Sequence, residues 1–317
     1  MSKKTFIPMP YTGGKRMAAS TVWQALGDVD VYLEPFAGLA SVLLARPSTH
    51  ERHIEKINDV DGIIVNLLRS IRYQPDKIID QVIYPLSEVD IHACMAKIKH
   101  DMDSDMVSWL EGDPEHCDPK IAAWTLVAAS GSIGTIRSRG LWHVVDGHLR
   151  KTVSDDTGVS RSVPSCFGRG QGIYAQSCDI TTVIGSISER LQRVQILCGD
   201  WKRILTPTVA GWKYSRTKTF GVFLDPPYQG FVDGFYHDTD NGAISDRVED
   251  WCREAPDDAR VVLCGYEGEH DSLLSLGWTK IIGYGYGGRV VDKRVRERLW
   301  LSPACQLPEQ ASIVDAE

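Results

Sequence analysis

At residues 224–228 the chain reads Leu-Asp-Pro-Pro-Tyr, directly after Val222-Phe223. An apolar strand ends in a carboxylate. Two residues with fixed φ and no backbone N–H follow, and then an aromatic ring. The result is a rigid edge whose acceptors, the Asp225 carboxylate and the Pro226 carbonyl, sit beside the Tyr228 ring. Such an edge suits an exocyclic amino group on a flat heterocycle. The acceptors take its two protons while the ring stacks on its face. A Pro-Pro pair alone is a loop brake. The strand and Asp before it and the Tyr after it give this one a functional reading.

Three further segments have chemistry to offer. Gly13-Gly14 and Gly38 permit close approach of backbone to a ligand. Taken alone, Gly13-Gly14-Lys15 is equally a plain turn. It lacks Walker A spacing, and Gly38-Leu39-Ala40 lacks a full dinucleotide fingerprint. Asp59 follows the glycine loop by about twenty residues, where an acid can accept from ribose hydroxyls. A lone Asp there also reads as a helix N-cap. Asp200-Trp201 follows a short apolar run and Gly199. The bland reading is a capping Asp beside a core Trp.

Taken together and in this order, the segments resemble the Dam-type (D12 class) DNA adenine-N6 methyltransferases along most of the chain. Asp225-Pro226-Pro227-Tyr228 is similar to the family's catalytic motif. Pro10-Tyr11-Thr12-Gly13-Gly14-Lys15-Arg16 looks like its N-terminal aromatic-x-Gly-Gly-Lys motif. Tyr32-Leu33-Glu34-Pro35-Phe36-Ala37-Gly38-Leu39-Ala40-Ser41-Val42 looks like its cofactor loop, with Ala40 where a second Gly or other small residue is usual. Arg298-Leu299-Trp300 and Cys264-Gly265-Tyr266 are weaker matches. The resemblance implies S-adenosylmethionine as cofactor and S-adenosylhomocysteine as product. It implies cofactor contacts from Tyr11, Thr12, Gly13, Gly14, Lys15, Glu34, Pro35, Phe36, Gly38, Ala40, Ser41, Asp59, Asp200 and Trp201. Asp59 would hold the ribose, and Asp200 would accept from the cofactor's adenine amino group. It also implies an adenine in double-stranded DNA as substrate, at a specific short sequence, flipped out of the helix to reach the site. An RNA or free-base amino methyltransferase, a cytosine-N4 methyltransferase and a catalytically silent DNA-binding module are the alternatives.

These residues need elements to hold them. Short apolar runs at 31–33, 54–57, 194–198, 222–224 and 261–264 read as buried strands, alternating with helical spacing at 38–45, 63–71 and 184–191. Repeated strand–helix units imply an α/β fold with a mostly parallel sheet, and the family resemblance implies that it is of Rossmann-like methyltransferase type. Ligands of such sheets bind beyond the carboxyl ends of the strands, where Glu34, Asp59, Asp200 and Asp225 fall. Residues 281–286 and 298–301 alternate around Gly287-Gly288 and predict a terminal antiparallel hairpin. Residues 76–130 read as mostly helical, and 131–179 as a loop rich in Gly, Ser and Arg. The expected division is a catalytic domain of 1–75 and 180–305, an inserted target-recognition region of 76–179, and a tail of 306–317.

The chain has 317 residues and a formal charge of −7. Hydrophobic residues make up 43% and charged residues 24%, which excludes a disordered, collagen-like or coiled-coil chain. Net acidity argues mildly against coating nucleic acid by charge alone. The basic residues nevertheless gather at 134–175, 200–220 and 289–298, around the expected site, while acids concentrate at 101–118 and 246–258. Arg137, Arg139 and Arg169 are candidate DNA contacts, reading guanine edges or binding phosphate. Trp142 stacks or wedges at an extruded base, or packs the loop. His143 and His148 have no partner at metal-ligand spacing, so no metal is expected. The eight cysteines include no CxxC pair, and Cys198 and Cys264 read as buried free thiols. Without an apolar run long enough for a membrane or a signal peptide, the expectation is a cytoplasmic protein of a prokaryotic cell or phage-infected host, monomeric or weakly dimeric.

Overall fold

The computed structural model describes residues 8–9, 14–82, 90, 93–94, 96–98, 106–113, 115–131, 142–145, 148–151, 180–212, 217–228, 241–282 and 297–308. The chain forms two compact units. One comprises Met1–Gly14 and Val60–Gly199, the other Lys15–Asp59 and Asp200–Glu317.

The second unit carries six strands of a mostly parallel sheet. They are β1 (Val31–Glu34), β2 (Ile54–Asp59), β6 (Phe220–Leu224), β7 (Arg260–Tyr266), β8 (Thr279–Ile282) and β9 (Glu297–Leu301). Their spatial order is β2-β1-β6-β7-β9-β8. The first four run parallel, with Leu33 opposite both Lys56 and Val222 and with Leu224 opposite Leu263. β9 returns antiparallel between β7 and β8, pairing Cys264 with Leu299 and Ile281 with Leu299. This is the closing antiparallel pair expected at the carboxyl end of the chain; the residues between its strands lie outside those described. β1 and β6 are buried at every position, as central strands covered on both faces should be. Gly221 has a packing reason, since a Cβ there would lie 2.8 Å from a Val29 methyl.

Two helices of this unit show why some elements form without a strong apolar signal. Ala19–Leu26 buries Val22, Trp23, Ala25 and Leu26, and Trp23 donates its indole N–H to the Val42 carbonyl at 2.7 Å. Asn241–Glu254 is largely polar. Its buried positions, Ser245, Val248 and Cys252, follow helical spacing but include only one aliphatic side chain.

The first unit is mostly helical: Gly62–Tyr73, Pro75–Val82, Met106–Gly112, Pro119–Gly131 and Ile180–Leu191, with β5 at Val194–Cys198. Ile63, Val65, Met106, Leu110, Ile121, Ala128 and Cys198 share one core. Asn66 and Asp118 brace it reciprocally, side-chain amide to carbonyl and side-chain carbonyl to amide. Within the stretch read as a loop, β3 (Trp142–Val145) and β4 (His148–Lys151) form an antiparallel pair with Trp142 opposite Lys151. Arg137, Arg139 and Arg169 lie outside the described residues.

Candidate active site

Parallel register puts the carboxyl ends of β2, β1, β6 and β7 on one edge of the second unit. That edge carries Asp59, Glu34, Asp225 and Tyr266. Pro226 and Pro227 are buried and continue the backbone away from β6 without offering an N–H.

Asp225 meets two residues from remote parts of the chain. Lys15 places its Nζ 2.9 Å from Asp225 Oδ1 and 2.9 Å from Glu297 Oε1. The Tyr228 hydroxyl lies 2.9 Å from Asp225 Oδ1 and 2.6 Å from Glu297 Oε1. The three charged side chains are only 8%, 17% and 13% exposed for Lys15, Asp225 and Glu297. One ammonium and one phenolic proton therefore serve two carboxylates. A phenol has a single proton to donate, so both short contacts are satisfied together when one carboxyl itself holds a proton. The titration follows. Burial raises Asp225 to about 6, opposed by Lys15 and assisted by Glu297. Burial works against the Lys15 ammonium too, but Asp225 and Glu297 outweigh it and keep it charged above its ordinary range. Burial, with Asp225 next, pushes the Tyr228 phenol well up, so it stays a donor. The Tyr228 ring packs edge-on against Tyr266 at 4.6 Å, and Cys264 lies fully buried beside the same hydroxyl.

The loop after β1 is tied to the end of β2. Ala37 donates its N–H to the Asn58 carbonyl, Asn58 donates its side-chain amide to the Pro35 carbonyl, and Gly38 donates to Asp59 Oδ2 at 2.7 Å. Gly38 and Ala40 both adopt left-handed backbone, at φ 48° and 53°. Ala40 thus holds a conformation that favours glycine, and it starts the helix Ser41–Leu44. Glu34 is buried, accepts from the Tyr32 hydroxyl at 3.0 Å and from the Leu43 backbone, and is pushed by burial up to about 8.

The alternative role for Asp59 belongs to its neighbour. Asp61 caps the helix Gly62–Tyr73 by accepting from the Ile63 N–H, which leaves Asp59 to hold the loop. Asp200 accepts from the Lys202 N–H at 2.7 Å, at the start of the helix Lys202–Leu205. Trp201 is buried against Phe36, with ring centroids 5.7 Å apart. Pro35 and Ser41 are buried on the same loop. Tyr11, Thr12 and Gly13 lie outside the described residues, and Gly14 is exposed.

Glu297 escaped the sequence reading, which counted it as one acid in a basic stretch. Its signal was position, at the first residue of the apolar alternation that becomes β9. Arg298, counted above with the basic stretch 289–298, is not part of a solvated basic face. Its side chain is 7% exposed and paired with Glu267, so it faces no solvent-borne phosphate. Lys202 and Arg203 are exposed. Asp28, His50 and His53 bring three side chains of metal-ligating type together. His53 Nδ1 accepts from the His50 N–H, which fixes its proton on the Nε2 that faces Asp28, and Arg46 also contacts Asp28. That arrangement is satisfied without a cation.

The fold and site define an α/β protein with an acidic rim at the carboxyl edge of a mostly parallel sheet. Residues 11–89 match the model of the family D12 class N6 adenine-specific DNA methyltransferase. That family methylates adenine N6 in DNA with S-adenosylmethionine as donor. The match spans the Gly-Gly-Lys segment, the Glu34–Val42 loop and Asp59, and ends before Asp225. No curated protein matches the chain.

Proposed function

We propose that this protein is an S-adenosylmethionine-dependent DNA methyltransferase of Rossmann-like fold, acting on the N6 amino group of adenine in duplex DNA at a specific short sequence. The observation that carries the reading is the shared rim. Asp225, followed by two buried prolines and Tyr228, stands beside the Gly38–Asp59 loop within one unit.

The rim fits the cofactor. Its chemistry is that of acceptors, with carboxylates at Asp59 and Asp200 and the carboxyl of Glu34, and the cofactor presents ribose hydroxyls, amino groups and a sulfonium cation. The left-handed backbone at Gly38 and Ala40 keeps side chains off the loop where a ligand must approach. Asp59 would take the ribose, and Asp200 with the Phe36–Trp201 pair would take the adenine end. When bound, S-adenosylmethionine supplies a methyl group already activated for transfer.

The protein's part in catalysis is then placement and charge. Asp225 and the Pro226 carbonyl accept from the amino group of the flipped target adenine, which orients the nitrogen and favours the positive charge that develops on it. Tyr228 and Tyr266 offer aromatic surface to the base. Rigid holding of the two reactants can account for most of the acceleration. A base inside a duplex cannot reach such an edge, so it must leave the stack. Residues 76–179 form the target-recognition region, with Arg137, Arg139, Trp142 and Arg169 at the DNA. The protein works as a monomer or weak dimer.

Transfer of a labelled methyl group to duplex DNA and to RNA tests this. The reading expects duplex DNA to be the better acceptor and Asp225→Ala to be inactive while still folded. Preferential labelling of RNA, or undiminished transfer by Asp225→Ala, contradicts it.

A further inference from the structure

Glu297 has no place in the catalytic scheme above, yet it touches two of the groups that touch Asp225. Its Oε1 is 2.9 Å from Lys15 Nζ and 2.6 Å from the Tyr228 hydroxyl. Both of those groups also contact the same oxygen of Asp225, Oδ1. Among the described residues, both of these contacts fall on Oδ1, so the network fixes one oxygen of the carboxylate. A carboxylate on a strand end can rotate about χ1 and χ2. Two donors on one oxygen stop that rotation, and Glu297 stops the donors in turn.

Building on the methyltransferase reading, we propose that Glu297 is a positioning residue. Through Lys15 and Tyr228 it pins Oδ1 of Asp225, so that Oδ2 faces the amino group of the substrate. Charge supports the geometry. Lys15 balances two carboxylates rather than one, which leaves Asp225 a better proton acceptor than a carboxylate with an ammonium of its own. An acceptor of raised pKa is suited to a nitrogen that must shed a proton as it gains a methyl group. The tyrosine hydroxyl is also held down at its far end, which fixes the ring plane against Tyr266.

The experiment compares wild type, Glu297→Ala and Glu297→Gln in two measurements. The first is single-turnover methylation across pH, with cofactor affinity measured separately. The second is a titration of Asp225 by NMR, with carbon-13 at the aspartate side-chain carboxyl and Asp225→Asn to assign the signal. Glu297→Ala should lower the transfer rate by about tenfold or more with cofactor affinity changed less than about twofold. Glu297→Gln, which keeps an acceptor for Tyr228 but no charge, should recover part of that rate. It should also move the Asp225 titration and the acid limb of the rate to lower pH by about half a unit or more. An unchanged transfer rate in Glu297→Ala, or an Asp225 titration identical in Glu297→Gln, overturns the proposal. A titration shift between wild type and Glu297→Gln, with no DNA methylated by the wild type, sinks the functional reading instead and leaves this placement of Asp225 standing.

Discussion

Replacing Lys15 by Met removes the ammonium that, among the described residues, holds two carboxylates together. Lys15 is 2.9 Å from each, and no side chain of the trio is more than 17% exposed. Breaking a buried pair by removing one partner leaves uncompensated charge and costs about 3–5 kcal/mol. Met nearly matches the Lys stem in volume, so little of that cost is a cavity. The loss must depend on pH, and its sign is fixed. Without the ammonium, Asp225 binds a proton more readily in the folded protein than in the unfolded chain. A carboxyl whose folded pKa is raised gains stability as pH falls through that pKa. The deficit of Lys15→Met against wild type should therefore be largest near pH 8 and shrink toward pH 5. Adding Glu297→Gln to the variant removes one of the two stranded charges and should recover about half of the loss, a coupling that a double-mutant cycle isolates. Urea unfolding at the two pH values, followed by tryptophan fluorescence, reads all of this. A deficit under about 1 kcal/mol at pH 8, or one of equal size at both pH values, refutes the description of the site as a buried shared-cation cluster.

Other expectations follow from the same geometry. Asp225, raised to about 6, offers its negative charge and can take a proton only as the carboxylate, so single-turnover methylation should fall as pH drops through about 6; a limb at the ordinary aspartate value near 4 contradicts the burial argument. Asp59→Ala frees the Gly38 N–H and removes a ribose acceptor, and should weaken S-adenosylmethionine binding by about tenfold or more in calorimetry. Equal affinity would remove Asp59 from the cofactor site. Ala40→Val forces a β-branched side chain into left-handed backbone at a fully buried position and should cost about 2–4 kcal/mol in thermal unfolding. Val42→Ala in the same helix serves as the control for simple packing loss.

The rim was legible because its two central strands are short apolar runs that stop at an acid, Glu34 in one and Asp225 after the other. Burial on both faces of a parallel sheet imposes that pattern, and Val31–Glu34 and Phe220–Leu224 show it plainly. The network behind Asp225 was not legible. Tyr228 and Glu297 are 69 residues apart, and nothing local to either states that β9 returns beside β7 and delivers Glu297 to the site. Charge counting also cannot separate a solvated arginine from a paired one, which is why Arg298 read as part of a basic face. The cap that could have been Asp59 is Asp61, two residues on, a difference no larger than the uncertainty of a helix start read from sequence. The helix Asn241–Glu254 was missed because Ser245 and Cys252 occupy two of its three clearly buried positions, so no apolar stripe marks it.

The most direct test of the account is the identity of the modified base. Duplex DNA treated with the protein and S-adenosylmethionine, digested to nucleosides and resolved by mass spectrometry, should contain N6-methyladenine with the wild type and none with Asp225→Ala. N4-methylcytosine in its place, or N6-methyladenine undiminished by Asp225→Ala, would contradict the account.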